Sequence, residues 1–436
     1  MADLLELSAR IIDSGHADQP VNRTTNELSE VADGLAMVES FSHSVVVDTG
    51  DGLIAFDASG AHTGRQVRDA ITSWRDQPVR HLVYTHGHAD HVGGSTFFAD
   101  DHPVVIGHQN VAKRIDRYAF TNNWNLIINA RQFGGVSRDL NLQVGGDDAV
   151  GVRVEPRPDA RRFLPARTLR PDREVGTFDR VHAGGHEIEL HHARGETDDH
   201  LWAFFPERKW IMTGDFLIWN FPNAGNPQKV QRYPGEWAAA LRKMLALEPE
   251  LLLPAHGLAV AGRERVATVL GDLATALERL VADVVAGMNA GATLDEIVHA
   301  VRVDDDLIHR PWLRPIYDEP EFVVRNTYRL YGGWWDGDPA HLKPPPAAAL
   351  AVELAELAGG ADVLAARAQA CSEAGDHRMA CQLVELAAQA SEDPGIWRLR
   401  SRLYLARADH ESSLMAKGVY TEAARAGDER AADLDP

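Results

Sequence analysis

The heptapeptide Thr85-His86-Gly87-His88-Ala89-Asp90-His91 decides how the rest of the chain is read. Three imidazoles and one carboxylate fall between His86 and His91, separated by two small residues. His86 and His88 alternate, so on extended backbone both point to the same side. Asp90 and His91 follow where a strand gives way to a turn or a helix start. That change of direction can aim two donors at one ion and two at a second ion nearby. Imidazole and carboxylate suit Zn²⁺, with Mn²⁺ or Fe as lesser choices. The flanks agree with this reading. His81-Leu82-Val83-Tyr84 reads as a short buried strand, and Val92-Gly93-Gly94 permits close backbone packing.

Upstream, residues 1–30 read as a helix and a surface segment, and strands begin at Val31. Leu35–Val38 and Ser44–Val47 are apolar runs with too little chain between them for a helix. Asp51-Gly52 is a hairpin turn, and Leu53-Ile54-Ala55-Phe56-Asp57 is the return strand. Thr63–Arg75 is amphipathic at helical spacing, with Val67, Ile71 and Trp74 on one face. The resulting β-β-α-β order fits a layered α/β domain.

Downstream, Val104-Val105-Ile106 reads as a strand and Val111–Tyr118 as a helix start, whereas 119–175 is less regular. Arg153, Arg157, Arg161, Arg162, Arg167, Arg170 and Arg173 place seven arginines in 21 residues, enough to draw an anion toward a site. Glu187–His192 alternates like a strand and runs into Gly195-Glu196-Thr197, with His192 and His200 as further candidate donors. Trp210-Ile211-Met212-Thr213-Gly214-Asp215 is an apolar strand ending on an acid, and Leu251–Gly257 is another ending at His256.

At 436 residues the chain can bury a sizeable core and reads as two domains, 1–262 and 263–436. A net charge of −20 argues against nucleic acid and anionic membrane as partners. No apolar run reaches membrane-spanning length, and the N-terminus has neither the basic start nor the apolar core of a signal peptide. Cys371 and Cys381, the two cysteines, read as reduced thiols, which suits the cytoplasm.

The motif THGHADH resembles the His-x-His-x-Asp-His signature of the metallo-β-lactamase superfamily. The resemblance implies an αββα sandwich with a dinuclear metal site at one edge. It implies His86 and His88 on one metal, Asp90 and His91 on the other, Asp215 as the acid between them and His256 as the last ligand. Glu196 stands where superfamily members usually carry a third histidine, and a carboxylate can replace it as a ligand.

After His256 the strand signals stop. Arg263–Asn289 and Leu294–Val301 have helical period, and Ala347–Ala426 is Ala/Leu-rich, broken at Gly359-Gly360, Gly375-Asp376 and Asp393-Pro394 like stacked tetratricopeptide-type pairs. Glu196, the segment YGGWWDGDPAHL from Tyr331 to Leu342, and this helical module together resemble the alkylsulfatase branch. That branch implies a homodimer formed through the helices and a small anionic ester as substrate. Some features depart from it. Alkylsulfatases tend to carry Glu where Asp215 stands, and they place a catalytic His between the bridging acid and the last ligand. Here 216–255 holds no His, but Asn220, Asn223, Asn226, Lys229, Arg232 and Tyr233 instead. The family also has a C-terminal sterol-carrier-like domain, and this sequence ends at Pro436 before one would fit.

The expected chemistry is hydrolysis by a water activated between two metals. Lys229, Arg232 or the arginines would meet developing charge, the acid is Tyr233, a metal-bound water or not needed, and Asp90 and Asp215 could take up protons. Other hydrolytic activities of the superfamily (lactone, thioester, β-lactam, phosphodiester), a diiron redox role, and a non-catalytic dimer stapled by metal stay open as alternatives.

Overall fold

The computed structural model describes residues 4–133, 139–140, 152–153 and 162–435. They divide into two compact units, one drawn from Met1–Leu126 and Asp139–Gly333, the other from Ile127–Arg138 and Trp334–Pro436.

The first unit holds two large sheets. One runs in the order Leu28–Ala32, Leu35–Val38, Ser44–Asp48, Leu53–Phe56, Val79–Val83, Val104–His108, Arg173–Val175. Its first four strands pair antiparallel, and from Leu53–Phe56 onward the pairs are parallel. A parallel neighbour needs a crossover, which the helix Gly64–Trp74 provides before Val79–Val83. The second sheet runs Phe178–Ala183, His186–His192, Leu201–Phe205, Trp210–Gly214, Leu251–Pro254, Val260–Ala261. Its one parallel pair, Trp210–Gly214 with Leu251–Pro254, is joined through the helix Pro234–Ala246.

Alternation along the strands explains the layering. Val45, Val47, Ile54 and Phe56 share a core with Ile188, Leu190, Phe205 and Met212 of the other sheet. Phe56 and Phe205 meet edge-on at 6.0 Å. Val46, Leu53 and Ala55, one position out of phase, pack with Val67 and Ile71 of the helix Gly64–Trp74. Trp237, Leu241, Leu270 and Leu273 bring the helices Pro234–Ala246 and Arg263–Asn289 onto the shared core. The architecture is the expected αββα sandwich. The compact unit continues past the expected boundary at 262, to Gly333.

The second unit is helical: Ala347–Ala358, Ala361–Glu373, His377–Gln389, Pro394–Asp409 and Leu414–Leu434. The helices break at the expected dipeptides. Gly359 and Gly360 take φ of 96° and 135°, and the carboxylates of Asp376 and Asp393 accept the backbone N–H groups of Met379 and Gly395. Cys371 and Cys381 are both free thiols. Two expectations fail locally. The first strand starts at Leu28, not after 30, and Asn122–Gln132 is a helix where an irregular stretch was expected. Of the arginine-rich stretch, Arg157, Arg161 and the side chain of Arg153 lie outside the described residues.

Candidate metal centre

Parallel strands bring their carboxyl ends to a common edge, where ligand sites of open α/β sheets collect. Asp57, the Thr85–His91 motif, Asp215 and His256 all follow such ends. Asp57 organises the first layer. Its Oδ1 accepts the Thr85 N–H at 2.8 Å and its Oδ2 the Thr85 hydroxyl at 2.7 Å. Oδ2 also lies 2.8 Å from His91 Nδ1. With the hydroxyl proton given to Asp57, the Thr85 oxygen can accept from His86 Nδ1 at 3.1 Å. These partners assign protons to both Nδ1 atoms, so the Nε2 atoms of His86 and His91 are the ones turned inward.

Gly87, between the two histidines, is held from below. Its N–H donates to Asp199 Oδ2 at 3.0 Å, and the Arg114 Nε donates to the same oxygen at 3.0 Å. A Cβ at position 87 would stand 2.9 Å from that oxygen, so the motif needs its small residue here.

Two groups of donors result. His86, His88, Glu196 and Asp215 converge as one; Asp90, His91 and His256 form the other. His86 Nε2 lies 2.8 Å from His88 Nδ1, 3.7 Å from Glu196 Oε2 and 3.9 Å from Asp215 Oδ2. His91 Nε2 lies 3.5 Å from Asp90 Oδ2 and 3.4 Å from Asp215 Oδ1, and His256 Nε2 is 3.5 Å and 3.6 Å from the same two oxygens. Asp215 therefore presents one oxygen to each group. It is held there by its own N–H, which donates to His200 Nε2 at 3.1 Å.

Divalent ions fit this donor set. His91 Nε2, Glu196 Oε2 and Asp215 Oδ1 are buried with no hydrogen-bond partner, an arrangement that is costly unless a cation lies among them. The electrostatics agree. Burial resists a proton on His91, but Asp215, Asp90 and Asp57 outweigh it and push the imidazole well above its ordinary range. Burial, then Asp215, raises the Glu196 carboxyl against the pull of Arg232. Against burial, His91 and His256 hold Asp215 below the usual carboxylate range. Each shift reports a demand for positive charge or a response to it, which a divalent ion would meet.

The other expected residues divide. Arg232 is buried, donates to the Glu196 carbonyl and lies 3.3 Å from Glu196 Oε1, so its guanidinium serves a donor residue rather than open space. Asn223 donates to the same Oε1. Lys229 is half-buried, its Nζ 5.8 Å from the Phe163 ring centroid; burial, then Arg232, lowers its pKa to about 8. Tyr233 is turned elsewhere, with the Arg194 guanidinium 4.5 Å over its ring. Two phenols feel the charge of the donors: burial, then Glu196 and Asp90, raises the Tyr317 pKa, and burial, with Asp90 among lesser causes, raises that of Tyr118. Of the rival histidines, His200 spends Nδ1 on the Leu201 carbonyl and Nε2 on Asp215. His192 stacks on His108 at 3.9 Å, with Nε2 bound to the Asp198 carbonyl. Arg170 and Arg173 pair with Asp116 and Asp179. Sequence reasoning missed Asp57 and Asp199 as supports of the site. An apolar strand closing on an acid, Leu53–Asp57, was the available signal for the first.

The sequence model described as the metallo-beta-lactamase superfamily matches residues 37–256, just over half of the 436-residue chain. The chain belongs to the metallo-β-lactamase superfamily. This superfamily member also matches, over 293–429, the model described as alkyl sulfatase dimerisation. It is 27% identical over 380 residues to a linear primary-alkylsulfatase of Pseudomonas sp. (strain ATCC 19151), covering 83% of this chain and 67% of that protein. It is 24% identical to an alkyl/aryl-sulfatase of Saccharomyces cerevisiae, covering 71% of this chain and 48% of that protein. The solved structure of a stereoselective inverting sec-alkylsulfatase from Pseudomonas sp. superposes with a TM-score of 0.78 at 22% identity, over 93% of this chain and 66% of that one. The chain thus spans about half to two thirds of the length of these relatives, and the superposition bears on the fold. Among the described residues, no helix is long and apolar enough to cross a membrane.

Proposed function

We propose that this chain is a hydrolase using two divalent metal ions, Zn²⁺ foremost, to cleave an anionic ester, with alkyl sulfates as the first class. The observation that carries the reading is Asp215 facing both donor groups with separate oxygens, in a chain similar to proteins named alkylsulfatases. When bound, such a pair of ions supplies Lewis acidity and an activated water near neutral pH. His86, His88, Glu196 and Asp215 would hold one ion, and Asp90, His91, His256 and Asp215 the other. Arg232 and Asn223 orient Glu196. Lys229, still cationic at neutral pH, meets the negative charge of the ester. A homodimer through the helical unit and a cytoplasmic setting complete the reading. The exposed Leu350, Leu357 and Val363 on neighbouring helices support the dimer, and sedimentation of the full chain tests it.

The deciding experiment measures metal content of the purified protein and then turnover of sulfate esters, phosphate esters, lactones and β-lactams. The expected result is about two ions per chain, with sulfate-ester turnover lost in His86→Ala and Asp215→Ala. Full metal content and full activity in those variants would sink the reading. Turnover confined to another ester class would keep the ligands and move the substrate. Bound metal with no turnover at all would favour a metal-stapled, non-catalytic dimer.

A further inference from the structure

The segment from Phe221 to Tyr233 carries Asn223 and Arg232 to Glu196, yet it contains no helix or strand. Its shape is imposed from a stretch beyond residue 256. The Phe221 N–H donates to the Arg314 carbonyl at 2.9 Å. Asp318 is fully buried; its Oδ2 accepts the Gly225 and Asn226 N–H groups at 2.6 Å and 3.1 Å, and its Oδ1 accepts the Glu319 N–H at 2.8 Å. Asn326, buried on the helix Pro320–Gly332, uses both ends of its amide. Its Nδ2 donates to the carbonyls of Ala224 at 2.9 Å and Arg232 at 3.0 Å, and its Oδ1 accepts from Gln231 Nε2 at 2.9 Å. At Gly225 a Cβ would stand 2.3 Å from the Phe322 carbonyl carbon, so loop and helix are in backbone contact.

We propose that Asp318 and Asn326 are positioning residues for the donor group containing Glu196. The inference rests on the reading of Glu196 as a metal ligand. A glutamate has several rotatable bonds, and presenting one oxygen at a fixed point means losing that freedom. Asn223 and Arg232 grip Glu196, but both stand on backbone without regular structure. Asp318 and Asn326 remove that freedom in turn: Asn326 ties 224 and 232 to the helix, and Asp318 ties 225 and 226 to the turn that leads into it. Groups bonded directly to a ligand typically change metal affinity by about tenfold to hundredfold when removed, and Asn326 acts through two such groups, Asn223 and Arg232.

The test is competition for Zn²⁺ between metal-stripped full-length protein and a chromophoric chelator. Four variants are compared: Asn326→Ala, Asn326→Asp, Glu196→Ala and Thr327→Val. Asn326→Asp keeps the shape and the acceptors but loses the two amide donations, so it serves if the alanine variant does not fold. Thr327→Val removes a buried hydroxyl that bonds the Val323 carbonyl on the same helix, and controls for ordinary loss of stability. The expected result is a fall in zinc affinity of about tenfold or more in the Asn326 variants. Thr327→Val, at a comparable melting temperature, keeps the parent affinity. If Glu196→Ala weakens zinc binding while both Asn326 variants match the parent, the positioning role is overturned and the ligand reading survives. If Glu196→Ala itself leaves zinc binding intact, both fall.

Discussion

At position 196 a carboxylate stands where the superfamily usually has an imidazole, and at 232 a guanidinium lies 3.3 Å from it. The first change adds a negative charge to the centre and the second offsets it. Both residues are almost fully buried, so neither is comfortable alone. Arg232→Met, leaving Glu196 unpaired, is expected to destabilise the metal-free protein by about 3–5 kcal/mol. Adding Glu196→Gln should recover part of that loss, giving a favourable coupling in a double-mutant cycle of denaturation midpoints. Additive losses would show that the pair is not coupled. The Glu196 substitution was legible because it falls in a recognisable turn, Gly195-Glu196-Thr197. Its partner was not. Arg232 is 36 positions away with nothing in its neighbours to fix its direction, and it read as an anion binder because an isolated arginine usually does so.

At the scale of elements, the strands were the most legible feature and the close contacts between turns the least. Apolar runs leading to His86, Asp215 and His256 were readable as strand ends, and the fold brings those three residues to one edge, since strand ends are set by a two-residue period that sequence displays directly. The helix Asn122–Gln132 was missed because four asparagines disfavour helix locally, and packing overrides that propensity. Asp318 was missed because it acts from a connection with no periodic signal. Gly93-Gly94 was read as a place of close approach, and the approach is severe. A Cβ at Gly94 would stand 2.0 Å from the Ala58 carbonyl oxygen and 2.8 Å from the Gly64 Cα, both backbone atoms with little room to yield. Gly94→Ala should therefore cost at least about 1–3 kcal/mol by thermal denaturation, with turnover reduced because the turn after His91 shifts. A parent-like melting temperature would show that the turn is more compliant than this packing implies.

For the whole molecule, stability should depend on acid through a residue outside the donor groups. His43 is buried, with Nδ1 accepting the Ser40 N–H at 3.1 Å and Nε2 placed 2.8 Å from the Gly257 carbonyl. Burial first, and His256 second, lower its pKa from 6.5 to about 3. A histidine lowered in the folded state is held neutral there, while the unfolded chain takes up a proton below 6.5. Stability contributed by the neutral form is thus complete above that pH and is lost as pH falls toward 3. The loss should reach roughly 2 kcal/mol at pH 5, and His43→Gln should flatten this limb of the stability–pH curve. An unchanged limb would assign acid sensitivity to other groups. Asp215 has a different consequence at this scale. If two ions bind as proposed, one carboxylate facing both would link their occupancies thermodynamically, and by reciprocity each ion would alter the other's affinity by the same factor. A titration of such a centre would then yield constants that belong to the pair, and chelation would act on both ions together.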